Sequence, residues 1–255
     1  MKNTANKLKG SKVLITGGCG FIGSYLVERL INLGVKKITI IDSMEFGNRI
    51  TESNKVKIIK YAIDNTDDDF LLKALEGIDY LFHLAAFKHN QTIDRPREVI
   101  NRNINGTYKL YEAALKNKVK KILFTSSVDV YDRSEFRPLK EDERPATWTV
   151  YGTSKIAGEN LLSHFYNWYG MNYVVLRYFF TYGPKQFAGT GYKMVITKNF
   201  ERMLRNENPR IFGDGKQVLD YIYIDDVIDA TMLAMESDYT NEIFNVGSSI
   251  PTTIN

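Results

Sequence analysis

Residues 14–34 read LITGGCGFIGSYLVERLINLG. A β-branched run, four glycines within seven residues, and an apolar run of helical period follow one another without a gap. This is the pattern of a strand, a tight turn and a helix start. Gly17, Gly20 and Gly23 form G-x-x-G-x-x-G. The first glycine permits the turn, the second lets backbone approach a pyrophosphate, and the third lets helix and strand pack closely. Phe21 and Ile22 fall inside the same fingerprint, beside the expected dinucleotide. The helix amino terminus offers unpaired N–H groups and a positive dipole end to phosphates. A second strand, KITIID, closes on Asp42, nineteen residues past Gly23. A carboxylate there accepts hydrogen bonds from a ribose 2′-hydroxyl and repels a 2′-phosphate, which points to NAD rather than NADP. Cys19, inside the loop, reads as a small filler of a tight turn.

The rest of the chain continues the alternation. Short β-branched runs lie at 12–16, 37–41, 55–60, 79–85, 120–126 and 172–179, with helical patterns near 21–33, 67–76, 96–117 and 150–169. Near-continuous apolar strands separated by helices predict a doubly wound parallel α/β sheet of the Rossmann type, covered on both faces. Ligands of such a sheet lie at the carboxyl ends of its strands. A chain of 255 residues, 44% hydrophobic, accommodates one large domain with a modest appendage. We divide it into a dinucleotide-binding domain over 1–180 and a small substrate lobe over 181–255, with 220–246 partly packing back on the first. In the second part, 180–193 reads as a loop. A helix at 194–206, strands at 210–212, 220–224 and 242–246, and a helix at 225–235 follow. The terminal PTTIN stands where Ser/Thr residues could open another helix.

Net charge is +4, spread without a basic block, so no nucleic-acid partner is expected. One cysteine excludes an intrachain disulfide and fits a reducing cytoplasm. The start, MKNTANKLKG, lacks an apolar signal core, and no run approaches the ~20 apolar residues of a membrane helix. His83 falls in a buried strand without a carboxylate pattern around it, and neither it nor His89 suggests a metal site. His164 reads as a surface or interface residue.

A reaction site is legible in VYGTSKIAGENLL. Tyr151 and Lys155, four apart on a helix, share one face. A free phenol titrates near pH ~10, too high for a base at neutral pH. A nearby ammonium and a cationic nicotinamide would favour the phenolate. Tyr151 could then take a proton from a substrate hydroxyl while hydride leaves the same carbon for NAD⁺. LFTSSVDVY ends a strand at the ligand-bearing edge, so Ser126 or Ser127 could hydrogen-bond the reacting oxygen.

In order and spacing, TGGCGFIG, IID, AIDNTD, HLAAFKH, NINGT, FTSSVDVY, YGTSK, LRYFFTYGP and YIYIDDV resemble the extended short-chain dehydrogenase/reductases, especially nucleotide-sugar epimerases and dehydratases. The resemblance runs from about Lys12 to the last residue. It implies NAD as cofactor, a nucleotide-sugar substrate with a UDP-sugar expected, a homodimer, and a place in polysaccharide biosynthesis. It implies Ser127 as the catalytic Ser/Thr, Tyr151 as the base and Lys155 as its partner, the last two also against the cofactor. By the same resemblance Asp64 and Asn65 contact adenine, and Ala85 and Ala86 form a backbone wall along the cofactor. Lys88 lies near a cofactor ribose, Asn103 orders the active-site end of the long helix, and Tyr178 lines the nicotinamide pocket.

Dehydratases of this family carry Asp-Glu directly after the catalytic Thr. Here Val128 removes the acid that would protonate a departing hydroxyl, and Asp129 stands where some dehydratases and decarboxylases place Glu, one methylene shorter. The simplest expectation is epimerisation through a transient keto-sugar. The alternatives are dehydration, decarboxylation or reduction on the same scaffold, or a non-catalytic, truncated NAD-binding relative. On the substrate side, the family's diphosphate-contacting Asn and Arg are replaced by Phe180 and Leu219. Lys185, Lys193 and Lys216 are the nearby cations that could compensate. The sequence stops before the family's last helices, so a reduced or truncated substrate lobe is expected. Apolar and aromatic residues on more than one face of 96–117 and 150–169 suggest a dimer contact.

Overall fold

The computed structural model describes residues 6–64, 68–88, 91–134, 138–186 and 195–255. In chain order it runs β1 (Lys12–Thr16), α1 (Phe21–Leu33), β2 (Lys37–Asp42), β3 (Val56–Lys60), α2 (Asp68–Ala74), β4 (Tyr80–His83), α3 (Gln91–Asp94) and α4 (Pro96–Ile100). A π-turn (Asn101–Gly106), α5 (Thr107–Lys116), β5 (Lys121–Ser127), a 3₁₀ turn (Val128–Tyr131), α6 (Val150–Tyr169) and β6 (Tyr173–Tyr178) follow. The last third holds β7 (Phe180–Tyr182), α7 (Val195–Leu204), β8 (Val218–Tyr223), α8 (Ile224–Glu236), β9 (Glu242–Val246) and β10 (Pro251–Thr253).

Seven strands form one sheet in the order β3-β2-β1-β4-β5-β6-β9, every pair parallel. All residues of β4 and β6 are buried. That is why these strands are mostly apolar, His83 and Arg177 apart: helices cover both faces, so neither parity of the strand meets water. Along β1, Val13 and Ile15 join Leu26 and Leu30 of α1 and Val227 and Met235 of α8 in one cluster. Leu14, between them, joins Leu110 of α5 and Leu162 of α6 in the other. Truncating one such fully buried leucine to alanine costs about 2–5 kcal/mol.

The strand order doubles back between β1 and β4, and the crevice of a doubly wound sheet opens at such a switch point. The turn after β1 and the loop after β4 therefore face each other at the carboxyl edge. α1 ends at Gly34, whose φ of +87° lets its N–H reach the carbonyls of Ile31 and Leu30. α6 starts at Thr149, whose Oγ1 accepts from the Gly152 N–H at 2.9 Å.

Three expectations need correction, and one gains a detail. The helical stretch 96–117 runs unbroken through α4, the π-turn at Asn101–Gly106 and α5. A side chain at Gly106 would come within 2.8 Å of the Ile63 carbonyl, so glycine is required there. The stretch expected as a loop from 180 begins with β7, which pairs with β8 in a second, three-stranded sheet ordered β10-β8-β7. Residues 210–212 form no strand. PTT, expected to open a helix, is β10, antiparallel to β8. The last third divides its strands: β9 pairs with β6 to complete the large sheet, while the aromatic run of β7 and β8 builds the small one.

Candidate active site

The glycine loop does what its sequence requires. Gly17 has φ +75°, and a Cβ there would lie 2.7 Å from the Ala85 nitrogen. The loops after β1 and β4 thus touch through bare backbone. A Cβ at Gly23 would come within 2.4 Å of the Gly17 carbonyl, so the helix seats directly on the turn. Gly20 caps α1 without a side chain, leaving first-turn N–H groups facing the crevice. Cys19 is fully buried, and burial followed by the Asp42 charge pushes its thiol up to about 12, which makes it inert.

Asp42 holds the loop as well as the cleft. One carboxylate oxygen accepts the Cys19 N–H at 2.9 Å and the other accepts the Met44 N–H at 2.8 Å. Each oxygen keeps a lone pair for a ribose hydroxyl. Burial raises its pKa; the Met44 and Cys19 N–H groups and the Arg49 guanidinium oppose that rise. Gly17, Gly20, Phe21, Ile22, Gly23, Asp42, Ala85, Ala86, Lys88 and Tyr178 all line one cleft. These residues fit a dinucleotide: bare backbone and a helix amino terminus for the diphosphate, a carboxylate for a ribose, and small residues along the wall.

Four described positions expected at the cofactor, Asp64, Asn103, Tyr151 and Lys155, stand apart from that lining. Asp64 pairs with Arg102 at 3.1 Å, while its neighbours Ala62 and Ile63 face the cleft. Asn103 is buried and works behind the wall. Its amide accepts from the Phe87 N–H at 2.8 Å and donates to the Phe87 carbonyl at 2.9 Å and the Ser154 hydroxyl at 3.0 Å. It ties the π-turn, the loop after β4 and α6 together. Asn65, His89 and Lys193 lie outside the described residues. His83 is fully buried between Thr16 and Thr107, at 2.7 and 2.9 Å, and burial, then the Lys155 charge, lowers it to about 3.

Ser127 and Tyr151 share a hydrogen bond, and Lys155 bonds to Thr125, which lines the cleft. The Lys155 ammonium donates to the Thr125 carbonyl at 2.7 Å and lies 5.6 Å from the centre of the Tyr151 ring. Burial lowers Lys155 to about 8, against the pull of Glu159 and Asp129. Burial, then the Asp129 charge, raises the pKa of the Tyr151 phenol, and only a hydrogen bond with Ser127 pulls the other way. A cationic group brought by a bound cofactor would pull it down. Ser126, the other candidate, turns away from the phenol: its hydroxyl donates to Glu159 at 2.5 Å.

The substrate side is aromatic. Phe180 sits opposite Tyr221 in the small sheet, with ring centres 6.0 Å apart, and Leu219 sits opposite Thr252. Lys185 is engaged with Glu28 at 2.6 Å, and Lys216 lies 3.9 Å from Asp214. Sequence reasoning missed Arg49 and Arg102 in the cleft wall. Arg49 lies in a loop without periodicity, and nothing in the sequence marks it. Arg102, in NRNING, stacks 4.0 Å over the Phe87 ring.

Comparison with known proteins agrees with this geometry. The model of the NAD dependent epimerase/dehydratase family matches residues 13–247. A putative UDP-glucose 4-epimerase of Methanocaldococcus jannaschii is 33% identical over 95% of this chain and 79% of its own length. A UDP-N-acetyl-alpha-D-glucosaminuronate decarboxylase of Bacillus cytotoxicus is 34% identical over 93% and 75%. Among solved structures, the UDP-N-acetylglucosamine 4-epimerase from Methanobrevibacter ruminantium M1, in complex with UDP-N-acetylmuramic acid, superposes with a TM-score of 0.90. It is 37% identical and covers 96% of this chain and 79% of that one.

Proposed function

This chain belongs to the NAD-dependent epimerase/dehydratase family, and from that premise we propose that it is a nucleotide-sugar epimerase acting through a transient keto-sugar, with Tyr151 as acid and base. The observation that carries the reading is the chain of contacts from Ser127 to Tyr151 by a hydrogen bond, and from Lys155, 5.6 Å from the centre of the Tyr151 ring, to the carbonyl of Thr125 at the cleft wall. The residue after Ser127 is Val128, which offers no acid for a departing hydroxyl. A UDP-sugar is the substrate we assign, since the relatives and neighbours named above act on or hold UDP-sugars.

NAD⁺, when bound, supplies the hydride acceptor and a cationic ring. Gly17, Gly20 and Gly23 would hold its diphosphate, Asp42 a ribose, and Ala85, Ala86, Lys88 and Tyr178 its flank. Ser127 would hydrogen-bond the reacting sugar oxygen. Tyr151 would take the hydroxyl proton as hydride leaves the same carbon, and would return it to that oxygen as the hydride comes back to the opposite face of the turned keto-sugar. Lys155 favours the phenolate by its charge. We place the catalytic work in 1–180 and sugar recognition in 181–255, in the cytoplasm and in a homodimer joined through α5 and α6.

A second reading rests on one observation: the Asp129 charge reaches both Tyr151 and Lys155. An added carboxylate at the reacting carbon suits decarboxylation or dehydration. Mass spectrometry of the product separates the two. An epimerase leaves the sugar mass unchanged, whereas loss of CO₂ or water assigns the second reading.

A further inference from the structure

Behind the reacting groups lies a buried ion pair that the mechanism has not used. Arg177 of β6 and Glu159 of α6 are 1% and 5% exposed. The pair is bidentate: Nε donates to one Glu159 oxygen at 3.0 Å and Nη2 to the other at 2.7 Å. Each partner also reaches a segment that carries a reacting residue. Glu159 accepts from the hydroxyl of Ser126, the residue before Ser127. Arg177 Nη1 donates to the Tyr131 hydroxyl, at the end of the 3₁₀ turn that follows Ser127, and to the Glu141 carbonyl at 3.3 Å. Glu141 belongs to the connection that leads into α6 and Tyr151. Asn245 of β9 closes the set: it accepts from the Tyr131 hydroxyl at 3.0 Å, and its N–H donates to the Glu141 carboxylate at 2.8 Å.

We propose that Glu159 and Arg177 are positioning residues that lock β5, the 3₁₀ turn, the segment before α6 and α6 itself into the one arrangement in which Ser127, Tyr151 and Lys155 meet. The inference rests on the epimerase reading for the meaning of that arrangement. Ser126 and Arg177 are direct neighbours across β5 and β6, so the pair sits immediately beneath the reacting edge of the sheet. Glu159 lies one helical turn after Lys155, on the same face.

For fold stability alone, such a pair is a poor choice. Desolvating two charges offsets most of their attraction, and well-packed apolar replacements are often neutral or stabilising, whereas removing one partner strands a buried charge. What an apolar pair cannot replace is the directional set of donors that ties four segments together. Glu159 also acts on Lys155 by charge. The titratable and charged groups around the Lys155 ammonium are Tyr151 and Glu159 on its own helix, Asp129 in the 3₁₀ turn and His83 in β4. Of these, Glu159 and Asp129 favour its protonated form.

The test uses the full chain loaded with NAD, as wild type, Glu159→Gln, and the double variant Glu159→Leu/Arg177→Met. Three quantities are measured: thermal midpoint, kcat and KM on the sugar nucleotide that wild type converts, and the titration of the Lys155 amine by NMR of isotope-labelled lysine. The Lys155 signal is assigned with Lys155→Arg. For Glu159→Gln, kcat falls about 10- to 100-fold with KM nearly unchanged. Its Lys155 titration moves to lower pH, because a negative charge beside the ammonium is gone. The double variant regains the thermal midpoint but not kcat. Recovery of kcat together with stability reduces the pair to a structural element and overturns the proposal, as does an unmoved Lys155 titration in Glu159→Gln. The NMR arm needs no substrate. If wild type converts no sugar nucleotide, the epimerase reading falls, while the Lys155 titration still decides the role of Glu159.

Discussion

Tyr151 is held protonated by its surroundings, with the Lys155 ammonium 5.6 Å from the centre of its ring. Burial and the Asp129 charge both raise the phenol, so its chemistry depends on positive charge gathered around it. Tyr151→Phe keeps the ring and removes the proton carrier. Turnover falls by about 10²–10⁴-fold, while the NAD content of the purified protein is unchanged. Equal loss of both identifies Tyr151 as structural. A second residue-scale prediction concerns His83, which stays neutral down to about pH 3 in the fold but titrates near 6.5 when unfolded. Below about 6.5 the unfolded chain binds a proton that the folded chain refuses. Stability is therefore full above that pH and falls as pH drops toward 3, by up to about 1.4 kcal/mol per unit. Urea unfolding at pH 7, 5 and 4 measures the slope, and His83→Gln flattens it. Gly23→Ala tests the loop: with 2.4 Å between its Cβ and the Gly17 carbonyl, helix and turn separate and NAD retention is lost.

Among the elements, those with one dominant signal were legible in the sequence. α1 and α6 have the expected bounds, since each couples an apolar period to a terminal glycine with positive φ. The central strands were legible because burial on both faces leaves mostly apolar residues. The π-turn was not: no local pattern marks it, and Gly106 within it packs against Ile63, some forty positions away. The strand at 180–182 was hidden by glycine and aromatic neighbours, and its partner lies in β8. In the site, Asp42 and the glycines followed from spacing, whereas Arg49 and the Glu159–Arg177 pair depend on contacts across the fold that no local pattern encodes. Asn103, within the π-turn, is the element-scale test. Asn103→Ala strands the Phe87 N–H and frees α6 from the loop after β4. It lowers stability by about 1–3 kcal/mol and weakens NAD retention, both readable by thermal unfolding with and without added NAD.

On the helices proposed for the dimer contact, Trp168 and Tyr169 of α6 are 75% and 57% exposed, and Tyr108 of α5 is 44% exposed. The proposed homodimer would cover these side chains. Light scattering at micromolar concentration is expected to give twice the monomer mass, and Trp168→Lys with Tyr108→Glu to give the monomer. A wild-type monomer removes the dimer from the account. No described helix is long and apolar enough to cross a membrane.

The central claim is the reaction. Purified protein, without added NAD, is incubated with UDP-, dTDP-, GDP- and CDP-sugars, and the products are read by mass spectrometry and proton NMR. A new sugar of unchanged mass, from a UDP donor, is the predicted result; it also shows that Phe180 and Leu219 permit diphosphate binding. A product lighter by water or CO₂, or no product from any donor while NAD stays bound, contradicts the claim.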